Sequence, residues 1–439
     1  MDKTKEFYHR RKSYYTSCKI LLYIIGQWPY QSSLTSMISI IIAVTLGTSI
    51  IIPQSVACYE LRANISDVLE CLSPILVDVT CFINLLNLLI NNRKLKELLT
   101  DLAEDWENLK TKEELHILHN YTKTGTLISN SYIRDLSLWN YDHLHITSTI
   151  FHKYAKNSTW NKSNYCIFFH CVISITPEIL LITFIQHACG MFKIVCYQLE
   201  NVLEDGNLDI DLHLQTTNDA VYKKLSNLIK KHNRAMQFSQ QIESLFSITL
   251  FFALGILVIM MIITAVQALL FSDVLDELAR SIEFASVQLL HVFFKCWLAQ
   301  RLMDAAYRIR YYTYKSRWYR MSLKSRKLLI LMMIRTNIPC NITAGKLVTF
   351  SFVTFSARQI DSQIFAFLIS TSSNPYISIV HHNLSVYDNG VRLRVELKLN
   401  KYTIVFSKTP YYSQTFFIYD YFSKIVYLIG ISDFGGKIK

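Results

Sequence analysis

Long apolar runs alternate with charged stretches along this chain, and several of the runs are long enough to cross a membrane. Leu34–Val56 carries no charge, which suffices to span roughly 30 Å of hydrocarbon, and Pro53 near its far end is expected to kink it. Cys71–Ile90 follows, interrupted only by Asp78. Tyr165–Gly190 is apolar around Pro177-Glu178, Leu245–Leu270 is uncharged, and Ile282–Leu298 leads without a breaker into a basic, aromatic arm. A further apolar run begins after Lys346. Gly125–Phe151 is a poor span, because Arg134, Asp135, Asp142, His143 and His145 make insertion costly. Between the runs, residues 91–123 have helical period with Leu95, Leu98, Leu99 and Leu102 on one stripe, as expected of a helix outside the membrane. Residues 191–243 read as two amphipathic helices joined through Glu204-Asp205-Gly206-Asn207. The pattern predicts an all-α, polytopic helical membrane protein. Residues 1–33 form its N-terminal segment, 34–356 the bundle with non-membrane helices over 301–340, and 357–439 an atypical tail. Strand-like alternation is expected in that tail at Val391–Leu399, after a turn at Asp388-Asn389-Gly390.

Composition agrees. Half of the 439 residues are apolar, mean hydropathy is +0.22, and glycine and proline are scarce. The net charge of +12 has two readings, nucleic-acid binding or a basic excess on one side of a membrane. Ten cysteines show neither a CxxC pair nor a Cys/His ligand spacing, so no metal site or disulfide framework is expected. Cys81, Cys171 and Cys296 fall inside apolar runs, where buried free thiols are the default. No cofactor is implied. The first twenty residues are polar and basic, so the first span is expected to be an uncleaved anchor.

Lys and Arg crowd the N-terminus and the stretches after Cys71–Ile90, Tyr165–Gly190 and Ile282–Leu298, whereas the loops at 57–70 and 271–281 are acidic. The positive-inside rule then places the N-terminus in the cytoplasm and the Asn64-Ile65-Ser66 sequon outside, where Asn64 can be glycosylated. This orientation requires a crossing within 124–164, where the sequence supplies a weak one.

Short motifs stand in order along the same frame: Gly26-Gln27-Trp28-Pro29-Tyr30-Gln31, Ile117-Leu118-His119-Asn120-Tyr121, Gln186-His187-Ala188-Cys189-Gly190-Met191-Phe192, Gln288-Leu289-Leu290-His291 with Cys296-Trp297, Arg317-Trp318-Tyr319, and Pro339-Cys340-Asn341-Ile342-Thr343-Ala344-Gly345-Lys346. Together they resemble the insect odorant receptor family, of the kind expanded in ants, bees and wasps, over about residues 1–356. The resemblance implies a seven-helix bundle with an inverted, cytoplasmic N-terminus. It implies an odorant-gated cation channel in the plasma membrane of olfactory sensory neuron dendrites, assembled with a shared co-receptor subunit through cytoplasmic anchor helices, with the second half of the seventh helix lining the pore. Two departures go with it. Residues 124–164 match neither the family's third span nor its outer loop, and the likeness fades after Val348–Phe355. The third and seventh spans are therefore expected to be degraded, as a gene-structure error or a decayed gene would leave them.

An odorant pocket is apolar and aromatic, with few polar groups to set orientation. The outer half of Tyr165–Gly190 offers Tyr165, Phe168, Phe169 and His170. The outer half of Ile282–Leu298 offers Phe284, Gln288 and His291, and the second span offers Asp78, a carboxylate rare in such a place. Ordinary helix packing or lipid contact is the competing reading for each, and hydrogen-bonded core histidines the competing reading for His170 and His291. In the arm, Tyr307, Tyr311, Tyr314 and Trp318 recur at helical spacing on one face. Subunit packing, with basic side chains at lipid headgroups, suits a helix leaving a membrane better than nucleic acid does. Trp297, Tyr311, Trp318 and Lys346 are expected at subunit contacts. No nucleophile–base pair, phosphate loop or metal cluster stands out, so an enzyme is not expected. A receptor acting through a cytoplasmic transducer is the second reading, which the charge orientation disfavours. A transporter is the third, without an internal repeat to support it.

Overall fold

The computed structural model describes residues 12–63, 65–154, 160–203, 214–270, 275–357, 377–387, 390–399 and 402–408; of these, the backbone alone is described at 12–14, 65–67, 70, 135–154, 160–168, 214–219, 268–270, 275–283, 356–357 and in the strands 377–408. The sequon residue Asn64 lies outside the described residues. The chain divides into two units, one made of residues 1–260 and 289–356, the other of 261–288 and 357–439.

The first unit is helical. Helix α1 (Lys12–Ile24) ends at Gly26, whose φ of 74° is left-handed and easy only for glycine. A side chain there would also meet the backbone oxygen of Ser36, so the Gly-Gln-Trp-Pro motif is a tight corner. The corner buries Gln27 and Trp28, and Tyr30 hydrogen-bonds Thr100 at 2.9 Å. Helix α2 (Ser33–Glu60) is N-capped by Ser32, which accepts from the Thr35 amide, and it runs through Pro53 without ending. Leu34, Ile38, Ile41 and Ile52 point outward from it, as apolar residues do toward lipid but rarely toward water.

Helix α3 (Ile65–Ile90) leads into α4 (Asn92–Glu107), whose stripe Leu95, Leu98, Leu99 and Leu102 is fully buried as expected. Helix α5 (Lys112–Tyr154) is one uninterrupted helix through the region where a crossing was hard to read. Helix α6 (Trp160–Glu200) is the most deeply packed, with Ile179, Leu180, Phe184 and Phe192 closed off from solvent. Helices α7 (Leu214–Leu270) and α8 (Leu275–Lys315) follow, the latter continuing from the apolar stretch into the arm. The two amphipathic helices expected over 191–243 are not separate elements: the first is the end of α6 and the second is the start of α7, and their expected junction at 204–207 lies outside the described residues. The arm is broken where continuity was expected. Its helix stops at Lys315, a 3-10 turn holds Trp318–Arg320, and α9 (Leu323–Arg335) starts from a Ser322 cap. Trp318 is thus off the helix that carries Tyr307, Tyr311 and Tyr314.

A short hairpin follows, β1 (Thr343–Ala344) with β2 (Val348–Thr349), and then α10 (Phe352–Ala357). Among the described residues, four helical stretches are long and apolar enough to cross a membrane: Ser33–Glu60, Cys71–Ile90, Phe169–Glu200 and Ala220–Gln267. In the second unit, β3 (Ile377–Tyr387), β4 (Gly390–Leu399) and β5 (Tyr402–Lys408) form an antiparallel meander with Tyr387 paired to Gly390; Asp388 and Asn389 of the expected turn lie outside the described residues.

Candidate functional site

Two small polar clusters interrupt the apolar packing of the first unit. The first joins α3 to α6. Asp78 and Cys81 are one turn apart on α3, and His170 and Ser174 one turn apart on α6, so each pair shares a helix face. His170 Nδ1 lies 2.7 Å from Asp78 Oδ1, and its Nε2 lies 3.5 Å from Cys81 Sγ. The Ser174 hydroxyl donates to the His170 carbonyl at 3.0 Å and stands 2.9 Å from Cys81 Sγ. Asp78, Cys81 and His170 are all buried. With the proton on Nδ1 the imidazole donates to Asp78 and turns a lone pair toward the thiol, a tautomer assigned from these contacts. The second carboxylate oxygen of Asp78 is buried without a hydrogen-bond partner.

The second cluster joins α5, α6 and α8. The Tyr132 hydroxyl is 3.0 Å from His291 Nδ1, and the tyrosine ring stacks on Phe294 with centroids 5.0 Å apart. One turn along α8 from His291, Lys295 pairs with Glu178 at 2.8 Å, both largely buried. The other Glu178 oxygen also lacks a partner.

The expected ligand residues are distributed as follows. Asp78 and His170 touch each other. His291 sits in the second cluster with Tyr132, which sequence reasoning missed because it lies in the poor third span. Phe169 is partly buried against the core. Tyr165 and Phe168 lie on the first turns of α6, where only the backbone is described. Phe284 and Gln288 belong to the second unit. Gln288 is buried there, and neither its amide nitrogen nor its oxygen has a hydrogen-bond partner.

The residues expected at subunit contacts are mostly on the surface. Tyr311 is exposed, Trp318 stands out from the 3-10 turn, and Trp297 packs against Phe294 with the rings tilted by 31° and the Arg301 guanidinium 5.0 Å from its ring. Lys346 is exposed at the tip of the β1–β2 hairpin with φ 60°, a strained value for a residue with a side chain.

A third, denser cluster was not anticipated. Asp105 accepts from His187 at 3.1 Å and forms an ion pair with Arg234, which also reaches Glu104 at 3.1 Å. Nearby, Glu114 pairs with Lys231 at 2.8 Å and with the Gln198 amide. Asp105 was discoverable in principle: it continues the 95, 98, 102 spacing of the buried leucine stripe, and an acid on that face has to be paired.

The fold is that of a polytopic helical membrane protein in which buried polar pairs cross-link long helices. The family model described as 7tm Odorant receptor matches residues 64–358, about two thirds of the chain. The chain belongs to the insect odorant receptor family. It is similar to putative odorant receptor 92a of Drosophila melanogaster, at 23% identity over 215 residues, 49% of this chain and 50% of that protein. The chain thus spans about half the length of the curated relative it matches. Its fold is that of the olfactory receptor OR5 of Machilis hrabei, with TM-score 0.65 and 15% identity, covering 83% of this chain and 99% of that one. The same receptor in complex with eugenol matches with TM-score 0.64 over the same shares.

Proposed function

We propose that this chain is an odorant-binding subunit of a ligand-gated cation channel, working with a shared co-receptor subunit in the plasma membrane of olfactory sensory neuron dendrites. The observation that carries the reading is the pair of polar clusters set into apolar helix packing, each with a carboxylate oxygen left unsatisfied. A few convergent polar groups in an apolar surround are what a small hydrophobic ligand needs for orientation. That a relative of the same fold has been solved with eugenol supports the choice of ligand class. Asp78, His170 and His291 are proposed as polar ligand contacts of the first unit, with Tyr165, Phe168 and Phe169 beside them, and Phe284 and Gln288 are proposed separately as ligand contacts of the second unit. Trp297, Tyr311, Trp318 and Lys346 are proposed as subunit contacts, and the exposed tyrosines of the arm favour that role over nucleic acid.

The proposed topology puts the N-terminus and the basic arm in the cytoplasm and Asn64 outside. A tag at the N-terminus tests it: labelling of intact cells sinks the channel reading and favours a receptor acting through a transducer. Function is tested by co-expression with a co-receptor subunit and recording of odorant-evoked current. Replacing residues after Phe355 with the seventh helix of a functional relative is expected to give current, and the chain with its present tail none. Robust current from the present chain would overturn the view that its seventh span is degraded.

A further inference from the structure

The Cys81–His170–Asp78 cluster has the geometry of an activated nucleophile. The imidazole Nε2 is 3.5 Å from the thiol sulfur, and Nδ1 is held at 2.7 Å by a carboxylate that fixes the tautomer. Nucleophile, base and orienting acid stand in the order that cysteine and serine nucleophiles share on unrelated folds. Ser174 Oγ lies 2.9 Å from the sulfur, with its own proton on the His170 carbonyl. The unpartnered Asp78 oxygen is a second, independent sign: the carboxylate keeps capacity to hold a charged imidazole. Two other buried thiols are set differently. Cys18 faces the Thr183 hydroxyl and Cys189 a backbone carbonyl, neither of them a base of that strength.

We propose that Cys81 captures α,β-unsaturated ketones and aldehydes covalently, so that the site responds to small apolar electrophiles. The sulfur adds to the β-carbon while its proton passes to His170 Nε2. The π electrons move to the carbonyl as an enolate, and the proton returns from Nε2 to the α-carbon. One carbon–sulfur bond forms, one carbon–carbon double bond becomes single, and nothing is oxidised, reduced or expelled. The reverse elimination frees the ligand. The proposal rests on the odorant-binding reading and deepens it.

The test uses the full chain in lipid nanodiscs, with 1-octen-3-one as the probe and 3-octanone as its saturated, non-adding analogue. Peptide mapping by mass spectrometry after a short exposure is expected to find one adduct, on Cys81, formed more slowly when 3-octanone is in excess. His170→Gln is expected to slow addition at Cys81 by roughly 100-fold, the usual contribution of a positioned base. An adduct spread equally over Cys58 and the other thiols of the folded wild-type chain overturns the proposal without any variant, as does an unchanged rate in His170→Gln. Absence of an adduct together with a 3-octanone-induced rise in Tm sinks covalent capture alone. Absence of both sinks the odorant-binding reading as well. Capture that 3-octanone leaves unslowed upholds the reactive thiol and removes reversible binding from this site.

Discussion

Two buried carboxylates of this receptor-family chain are partnered in opposite ways. Asp105 uses both oxygens, one for His187 and one for Arg234, in a knot that also draws in Glu104. Asp78 uses one oxygen for His170 and leaves the other bare. Burial of a polar group is expensive unless its hydrogen-bonding capacity is met, so a carboxylate with both oxygens engaged holds structure together and one with an oxygen left over stores demand. The Asp105 cluster fastens helices; the Asp78 cluster has something left to give.

Substitutions should separate the two. The largest effect is expected at Asp105→Ala, which strands the His187 and Arg234 side chains. Loss of one member of such a buried pair costs about 3 kcal/mol, read as a lower Tm and loss of a monodisperse species in detergent. A smaller loss is expected at Gly190→Ala beside the same network, where the new Cβ would lie 2.7 Å from Leu118. Overpacking of about 2 kcal/mol, offset by about 1 kcal/mol of helix propensity, leaves a net loss of about 1 kcal/mol in chemical unfolding. Asp78→Asn keeps an oxygen that can accept from His170, so stability should move by less than about 1 kcal/mol. Odorant sensitivity of the channel-competent chimera should nevertheless fall roughly tenfold, the equivalent of about 1.4 kcal/mol of ligand contact. A Tm shift in Asp78→Asn as large as that in Asp105→Ala would erase the distinction.

The smallest effect concerns Cys340, buried against Met236 with its thiol pushed up to about 11 by desolvation. The fold keeps this thiol protonated, so its contribution is fully present below the ordinary thiol range near 9 and is lost as pH rises toward 11. Tm should be indifferent to this group at neutral pH and fall in that alkaline window. Iodoacetamide should label Cys340 only on unfolding, and rapid labelling at neutral pH in the folded chain would contradict its burial.

Much of the fold was legible because hydropathy marks what a membrane accepts. Leu34–Val56 and Cys71–Ile90 lie inside α2 and α3. Hydropathy does not mark where helices stop. No glycine or proline separates Gly190 from Glu200, so α6 runs on into polar sequence that reads as a new element. The charges of α5 raise the cost of insertion, yet they do not break backbone hydrogen bonds, and the helix persists from Lys112 to Tyr154. Asp78, His170 and His291 stood out as polar residues in apolar runs. Their pairings did not, because Cys81 lies 89 residues from His170 and Tyr132 lies 159 from His291, and one sequence carries no record of such contacts. The broken arm was missed because Arg317-Trp318-Tyr319 holds no conventional breaker.

Helix α6 carries His170 of the open cluster and His187 of the closed one. Seventeen residues of helix separate them, about 25 Å along one axis. A rod of that kind has few ways to yield besides sliding, tilting or turning as a body, and Pro177 between the two histidines is its one missing backbone donor. A push on His170 is thereby a torque on the Asp105 knot. The helix makes a lever, with the His170 end as its handle and the salt-bridged end as its fulcrum.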